Sequence, residues 1–200
     1  MRQSFRVLGI GIFANQLVLT CVCSLLLLFT ASGQKNDSLI HFQSVFIESD
    51  VIPNFYKVSD SLFRSAQPNS KALETMQQNG ILSVLNFRSV AGNRKFGKSE
   101  HISFNQIRIN TWRISEADML ESFKLYQQLK KPVLVHCKHG ADRTGAFVAF
   151  YRIIYQGWTK EATISELRYG GFGFHERYFQ NIINLIETTD FESFVSKLSE

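Results

Sequence analysis

The residues best suited to chemistry lie in the stretch VLVHCKHGADRTGAF, residues 133–147. Cys137 stands at the end of an apolar run, and Arg143 follows after five intervening residues. A cysteine thiolate is a strong nucleophile, and a guanidinium can bind two oxygens of one phosphate in parallel. Backbone N–H groups at the beginning of a helix favour an anion at the same point. The spacing therefore favours a nucleophilic cysteine beside an oxyanion site, rather than a small apolar residue at a strand end.

A strand and a helix must hold this loop. PVLVH is an apolar run that predicts a buried strand, and RTGAFVAFYRIIYQG is apolar on nearly every side, as in a helix that packs against a sheet. In open α/β sheets, ligands bind beyond the carboxyl ends of strands, where loops enter helices. We therefore expect Cys137 and Arg143 to lie at such an edge.

The rest of the chain alternates between strand and helix patterns, which predicts one domain over residues 40–195. We expect an α/β three-layer sandwich with a central, mostly parallel sheet of about four to five strands, flanked by helices. Asn69 or Ser70 is predicted to cap the first helix, and Ser115 with Asp118 forms a capping-box pattern before another. The predicted elements are a strand pair around 59–61, strands in 81–87 and 102–109, and helices in 69–80, 115–131, 160–169 and 175–187.

The first 33 residues differ from the remainder. Val7 to Ala31 carries no charge and follows Arg2 and Arg6, which is typical of a signal peptide or an N-terminal membrane anchor. Either alternative predicts export, as a periplasmic or secreted domain or as an anchored domain outside the cytoplasm, touching the membrane only through an uncleaved segment. Without residues 1–33 the charge is (22 − 2) − 17 = +3, which does not suggest nucleic acid as a partner.

Cys21 and Cys23 belong to this first segment, so Cys137 would be the single thiol of the exported domain. A zinc site needs three or four ligands, and His136 and His139 are the only histidines near the cysteine in sequence. We therefore predict no metal and no cofactor.

The pattern C-x5-R-[ST], preceded by His136, resembles the signature of the cysteine-dependent phosphatase superfamily. Together with NFYKVSDSLFRSAQP and GGFGFH it is similar to bacterial dual-specificity phosphatases related to the plant and fungal atypical group, over about residues 53–187. This resemblance implies a two-step reaction through a cysteinyl-phosphate, without a metal.

The resemblance also assigns roles by position. Cys137 would attack phosphorus and Arg143 would bind two equatorial oxygens. His136 would orient the loop, although it could be only a core histidine, and Thr144 would hydrogen-bond the sulfur, although it could be only a residue of the first helical turn. The phosphate-binding loop would comprise Lys138, His139, Gly140, Ala141 and Asp142.

The proton donor to the leaving group is less clearly marked, because NTWRISEADML lacks the Asp-Pro pair that is common in the family. Asp118 is the first candidate general acid, although its place in the capping box could be its whole role. Glu116 is the second candidate. Asp142, directly before Arg143, is the third.

The substrate would be a phosphorylated protein at tyrosine, serine or threonine. The alternative is an inositol polyphosphate or a phosphoinositide, since basic residues beside the loop would bind further phosphates. Without a general acid, a catalytically idle phosphate-binding module is the alternative of another class. Trp112, Phe172 and Phe174 could frame a phosphotyrosine ring or belong to the core. The basic residues considered are Lys138, His139, Arg143, Arg88, Arg94, Lys95 and Lys98.

Overall fold

The computed structural model describes residues 44–90 and 99–200. The predicted signal peptide or anchor and the basic residues Arg94, Lys95 and Lys98 lie outside the described residues. Within the described ranges, no helix is both long enough and apolar enough to cross a membrane.

Within the described residues, a six-stranded sheet forms the centre of the domain. Its strands are β1 Val45–Phe46, β2 Tyr56–Ser59, β3 Leu62–Ser65, β4 Ser83–Asn86, β5 Ser103–Gln106 and β6 Val133–His136. They lie side by side in the order β1-β2-β3-β6-β4-β5. The four strands β3, β6, β4 and β5 are parallel, whereas β1 and β2 add an antiparallel edge. The expected mostly parallel α/β sheet is confirmed, with one strand more than expected because the two-residue β1 joins its edge.

The described residues form six α-helices, and an apolar core lies on each face of the sheet. Along β6, Val133 and Val135 belong to one core with the helix residues Phe123 and Phe147, and Leu134 belongs to the other. This alternation follows from the two-residue period of a strand, and it produces the predicted three layers. The helices are α1 Ala72–Gln78, α2 Glu116–Gln128, α3 Asp142–Gln156, α4 Lys160–Tyr169, α5 Gln180–Thr188 and α6 Phe191–Leu198.

Two helix boundaries differ from the sequence prediction. Lys71, not Asn69 or Ser70, is the N-cap residue of α1, because Asn69 Oδ1 instead accepts a hydrogen bond from the backbone N–H of Lys71 within the preceding turn. The predicted last helix begins only at Gln180, and a further helix, α6, follows it, capped by the carboxylate of Asp190. The predicted capping box of Ser115 and Asp118 at the start of α2 is confirmed.

Candidate active site

Cys137 directly follows β6, the strand between β3 and β4, and is 1% exposed. Residue 136 pairs with Ser65 on one side and Asn86 on the other, so three parallel strands end at the same level. The backbone N–H of Phe87 donates to the carbonyl of His136 at 2.8 Å, which extends this pairing beyond β4. The cysteine thus lies at the carboxyl edge of the sheet, as the sequence predicts.

The loop after Cys137 turns closely over the segment that follows β3. Gly140 has a φ of 74°, and a Cβ there would lie 2.5 Å from both the carbonyl carbon of Ser65 and the backbone nitrogen of Ala66. The N–H of Gln67 also donates to the carbonyl of Lys138 at 3.1 Å. Position 140 therefore requires glycine both for its conformation and for the close approach of the two backbones.

A buried arginine beneath the loop holds it from the other side. Nη2 of Arg64, on β3, donates to the carbonyl of Gly140 at 2.8 Å, and its guanidinium carbon lies 3.7 Å from the ring centroid of Phe172. Burial lowers the pKa of Arg64 to about 10, partly opposed by Glu166, so the side chain stays protonated at neutral pH. Arg64 thus places a positive charge under the loop. No role is predicted for Arg64 from the sequence, and the signal in the sequence is an arginine within the short strand LFRS, which the structure shows to be buried.

Arg143 lies in the first turn of α3 and reaches across the ends of two neighbouring strands. Its Nη1 donates to the carbonyls of Phe87, after β4, at 3.2 Å and Ile109, beyond β5, at 3.3 Å. The buried Nε of Arg143 and Oγ1 of Thr144 have no hydrogen-bond partner among the described residues. Unpaired buried donors are costly, so these two atoms favour a ligand or a charge at the loop.

His136 is a fully buried neutral histidine. Burial lowers its pKa to about 4, and its Nδ1 lies 3.2 Å from the carbonyl oxygen of Cys137. Because a carbonyl oxygen can only accept, Nδ1 carries the proton of this neutral ring. His136 is therefore both a core histidine and in contact with the backbone of Cys137, so the two predicted roles are compatible.

Each candidate general acid already has a partner. Asp118 Oδ2 accepts from the backbone N–H and the hydroxyl of Ser115, at 2.8 and 2.7 Å. Glu116 pairs with Lys197 of α6 at 2.8 Å. Asp142, which is buried, accepts from the backbone N–H of His175 at 3.0 Å and lies 3.0 Å from its Nδ1. The role of general acid stays a prediction for all three.

Basic and aromatic side chains surround the loop. Lys138 and His139 are exposed, and burial together with Lys138 lowers the pKa of His139. Arg88 approaches the same region, because its Nη1 donates to Oε1 of Gln67 at 2.8 Å, and the backbone of Gln67 contacts Lys138.

Among the aromatic residues considered from sequence, Trp112 is 65% exposed, whereas Phe172 is buried and Phe174 packs against the core. The Trp112 ring packs edge-on against Phe179, with centroids 4.9 Å apart, and Phe179 lies 6.5 Å from the ring of His175. Since His175 contacts Asp142, these rings connect Trp112 with the loop.

Known phosphatases are similar to this chain in sequence. The chain is 35% identical over 122 residues to the dual specificity protein phosphatase TpbA of Pseudomonas aeruginosa, a match covering 60% of this chain and 56% of that protein. The chain thus spans little more than half the length of this curated relative. It is also 28% identical over 149 residues to an inositol diphosphatase of Arabidopsis thaliana, covering 70% and 71% of the two chains.

Solved structures agree with the fold. A crystal structure of P. aeruginosa TpbA with a cysteine-to-serine substitution, in complex with pTyr, superposes with a TM-score of 0.70 at 28% identity, covering 78% of this chain and 96% of that one. The catalytic core of the PP-IP phosphatase SIW14 from S. cerevisiae gives a TM-score of 0.61 at 23% identity, covering 74% and 94%. The model of the tyrosine phosphatase family matches residues 51–199. This chain therefore belongs to the tyrosine phosphatase family, as the resemblance of its sequence implies.

Proposed function

We propose that this protein hydrolyses phosphate monoesters of tyrosine, serine or threonine through a cysteinyl-phosphate intermediate. The observation that carries the proposal is the position of Cys137 and Arg143 at either end of one loop, above the buried Arg64. Cys137 would supply the nucleophile and Arg143 a cation for the phosphate, and the buried Arg64 would add a positive charge behind the loop. Family membership and the likeness to TpbA support the same reaction.

In the first step the Cys137 thiolate attacks phosphorus, the sulfur–phosphorus bond forms, and the phosphorus–oxygen bond to the leaving group breaks. Arg143 binds the equatorial oxygens, and a carboxylic acid donates a proton to the leaving oxygen. In the second step water attacks phosphorus and the same carboxylate accepts its proton. The sulfur–phosphorus bond then breaks, which regenerates the Cys137 thiolate and releases inorganic phosphate. Thr144 Oγ1 is buried without a partner among the described residues and is available to donate to the departing sulfur.

The aromatic side chains near the loop favour a substrate with an aromatic leaving group. Trp112 presents an exposed indole that is connected to the loop through Phe179 and His175. An amphipathic ring of this kind can pack against the ring of a phosphotyrosine while the phosphate enters the loop. The pTyr complex of TpbA supports this proposal.

Inositol polyphosphates or phosphoinositides are the second candidate substrates. Lys138 and His139 are exposed on the loop and Arg88 lies near it, so a substrate with several phosphates would gain further contacts. The likeness to a plant inositol diphosphatase favours this alternative.

The enzyme proposal is tested with p-nitrophenyl phosphate, comparing the full chain with Cys137→Ser. We expect turnover by the wild type, loss of turnover in the variant, and a phosphorylated Cys137 peptide after rapid acid quench of the wild type. Phosphate binding by both proteins without turnover would instead identify an idle phosphate-binding module. Relative kcat/KM for phosphotyrosine peptides and inositol polyphosphates then distinguishes the two substrate classes.

We also propose that the protein is exported. The uncharged stretch from Val7 to Ala31 after two arginines supports this location, although it lies outside the described residues. Fractionation of cells that produce the full chain, with sequencing of the mature N-terminus, tests it. Recovery of the uncleaved chain in the soluble cytoplasm would contradict export.

A further inference from the structure

We infer that His139, Asp142 and His175 form a binding site for a divalent transition-metal ion such as Zn²⁺ at the rim of the phosphate loop. One ligand atom from each of these residues lies within 4.8 Å of the other two. Two imidazole nitrogens and one carboxylate oxygen form a ligand set that zinc prefers, and a site with three protein ligands keeps one position open.

The distance between two of the three ligands is already close to that found between neighbouring ligands of a zinc ion. His175 Nδ1 lies 3.0 and 3.1 Å from the two oxygens of Asp142. Zinc bonds to nitrogen and oxygen are about 2.0–2.2 Å long, so neighbouring ligand atoms in a tetrahedral site are about 3.4 Å apart. The His175 nitrogen and the Asp142 oxygens therefore need to move apart by only a few tenths of an ångström to bind the ion together. The proton of His175 Nδ1 must then move to solvent or to Nε2.

The third ligand is an exposed side chain of the phosphate loop. The rings of His139 and His175 have centroids 5.4 Å apart, and the His139 side chain is exposed. The backbone of His139 is held in place, because its carbonyl accepts a hydrogen bond from Nδ2 of Asn54 at 3.0 Å. The same Nδ2 donates to the carbonyl of Phe172 at 3.0 Å. Asn54 therefore holds the two ligand-bearing segments beside each other, which preorganises the site.

This site is distinct from the reaction at Cys137 but adjacent to it. Asp142 immediately precedes Arg143, so a bound ion would add positive charge beside the substrate phosphate and occupy one candidate general acid. The inference does not depend on turnover. His175 comes from a segment 33 residues beyond Asp142, which is why counting only the histidines near Cys137 in sequence predicts no metal.

The test is isothermal titration of Zn²⁺ into the metal-free full chain with Cys21, Cys23 and Cys137 all replaced by serine, so that no thiolate can bind the ion. We expect one ion per chain, and Co²⁺ in its place should give the visible absorption bands of a low-coordinate nitrogen and oxygen site. His139→Ala, Asp142→Asn and His175→Ala should each lower the affinity at least about tenfold, as expected for loss of a metal ligand.

His101→Ala is the matched control, because this exposed histidine precedes β5 and lies at the opposite end of the parallel sheet from the loop. Its affinity for Zn²⁺ should equal that of the unsubstituted serine background. Thermal unfolding without metal identifies any variant that fails to fold, and His139→Ala, with its exposed side chain, provides the variant least dependent on packing. Absence of binding in the serine background, or equal affinities of His139→Ala and His101→Ala, would overturn the inference. If the serine background binds zinc but the wild-type chain shows no phosphatase activity, the proposed reaction is refuted and the metal site stands.

Discussion

The guanidinium of Arg64 donates a 2.8 Å hydrogen bond to the carbonyl of Gly140, and both groups are buried. One end of this contact is a strand residue and the other is the turn of the phosphate loop. The contact directs that carbonyl oxygen towards Arg64 and away from an incoming phosphate. It therefore fixes the loop in a conformation that can receive an anion, at the cost of burying a charge.

Replacing Arg64 should consequently lower the catalytic activity while the protein still folds. We expect Arg64→Met, which keeps much of the side-chain length, to lower kcat/KM for p-nitrophenyl phosphate by about 10- to 100-fold, because the carbonyl of Gly140 loses a charge-assisted hydrogen bond. Arg64→Lys should retain part of the activity. Both variants are compared per folded molecule, using circular dichroism. Wild-type kcat/KM in a folded Arg64→Met protein would contradict this role.

Gly140 and Gly157 offer a controlled comparison. Both have a positive φ, but a Cβ at Gly157 would meet no atom within 4 Å, whereas a Cβ at Gly140 would lie 2.5 Å from backbone atoms. We expect Gly157→Ala to cost about 1 kcal/mol of unfolding free energy from its conformation alone. Gly140→Ala should cost about 3 kcal/mol more from overpacking and abolish turnover. Urea unfolding measures the loss of unfolding free energy in each variant, and phosphatase assays measure turnover. Equal losses of unfolding free energy would show that the loop accommodates the added Cβ at residue 140 without strain.

The buried His136 should make stability depend on pH. Its pKa in the folded protein is about 4, below the ordinary value of 6.5, so the unfolded chain binds more protons between these values. The free energy of unfolding should therefore be highest above pH 6.5 and fall by about 3 kcal/mol as the pH approaches 4. Urea titrations of the wild type and His136→Asn isolate this contribution, because other groups titrate in both. Parallel pH profiles would refute it.

The general acid can be identified through the leaving group. Loss of an acid should slow the hydrolysis of phosphotyrosine strongly, and that of a phosphate ester with a much more acidic phenol only slightly, because such a phenoxide leaves without a proton. We expect Asp118→Asn to show this difference, about 100-fold against less than about 10-fold, with Glu116→Gln and Asp142→Asn as the competing variants. Since asparagine can still accept from Ser115, the helix cap should survive. A uniform decrease for both substrates would exclude Asp118.

Trp112 should contribute to substrate choice. Trp112→Ala is expected to raise KM for phosphotyrosine peptides about 3- to 10-fold, corresponding to loss of an aromatic contact, and to leave KM for phosphoserine peptides nearly unchanged. Tyr155→Ala is a suitable control, because this exposed aromatic residue lies near the other end of α3 from Arg143. An equal effect of Trp112→Ala on both peptide classes would contradict the proposed contact with the ring.

The contrast between Cys137 and Arg64 shows what the sequence could predict. Cys137 and Arg143 belong to one short loop between a strand and a helix, so local spacing was sufficient to place them. The capping box at Ser115 is equally local and was predicted correctly. Arg64 and His175 come close to the loop only through the folding of distant segments, which no local pattern encodes. Asn69 shows a third case, in which a residue suited to a helix cap satisfies the preceding turn instead.

Asn54 links two backbone segments next to the phosphate loop. A single amide NH₂ group supplies one hydrogen to the carbonyl of His139 and the other to the carbonyl of Phe172. Because both carbonyls depend on the same side chain, separation of either segment from Asn54 weakens the support of the other. The turn after Cys137 and the glycine-rich segment before α5 should therefore open as one cooperative unit in the native state, and their amide hydrogens should exchange with solvent at matching rates.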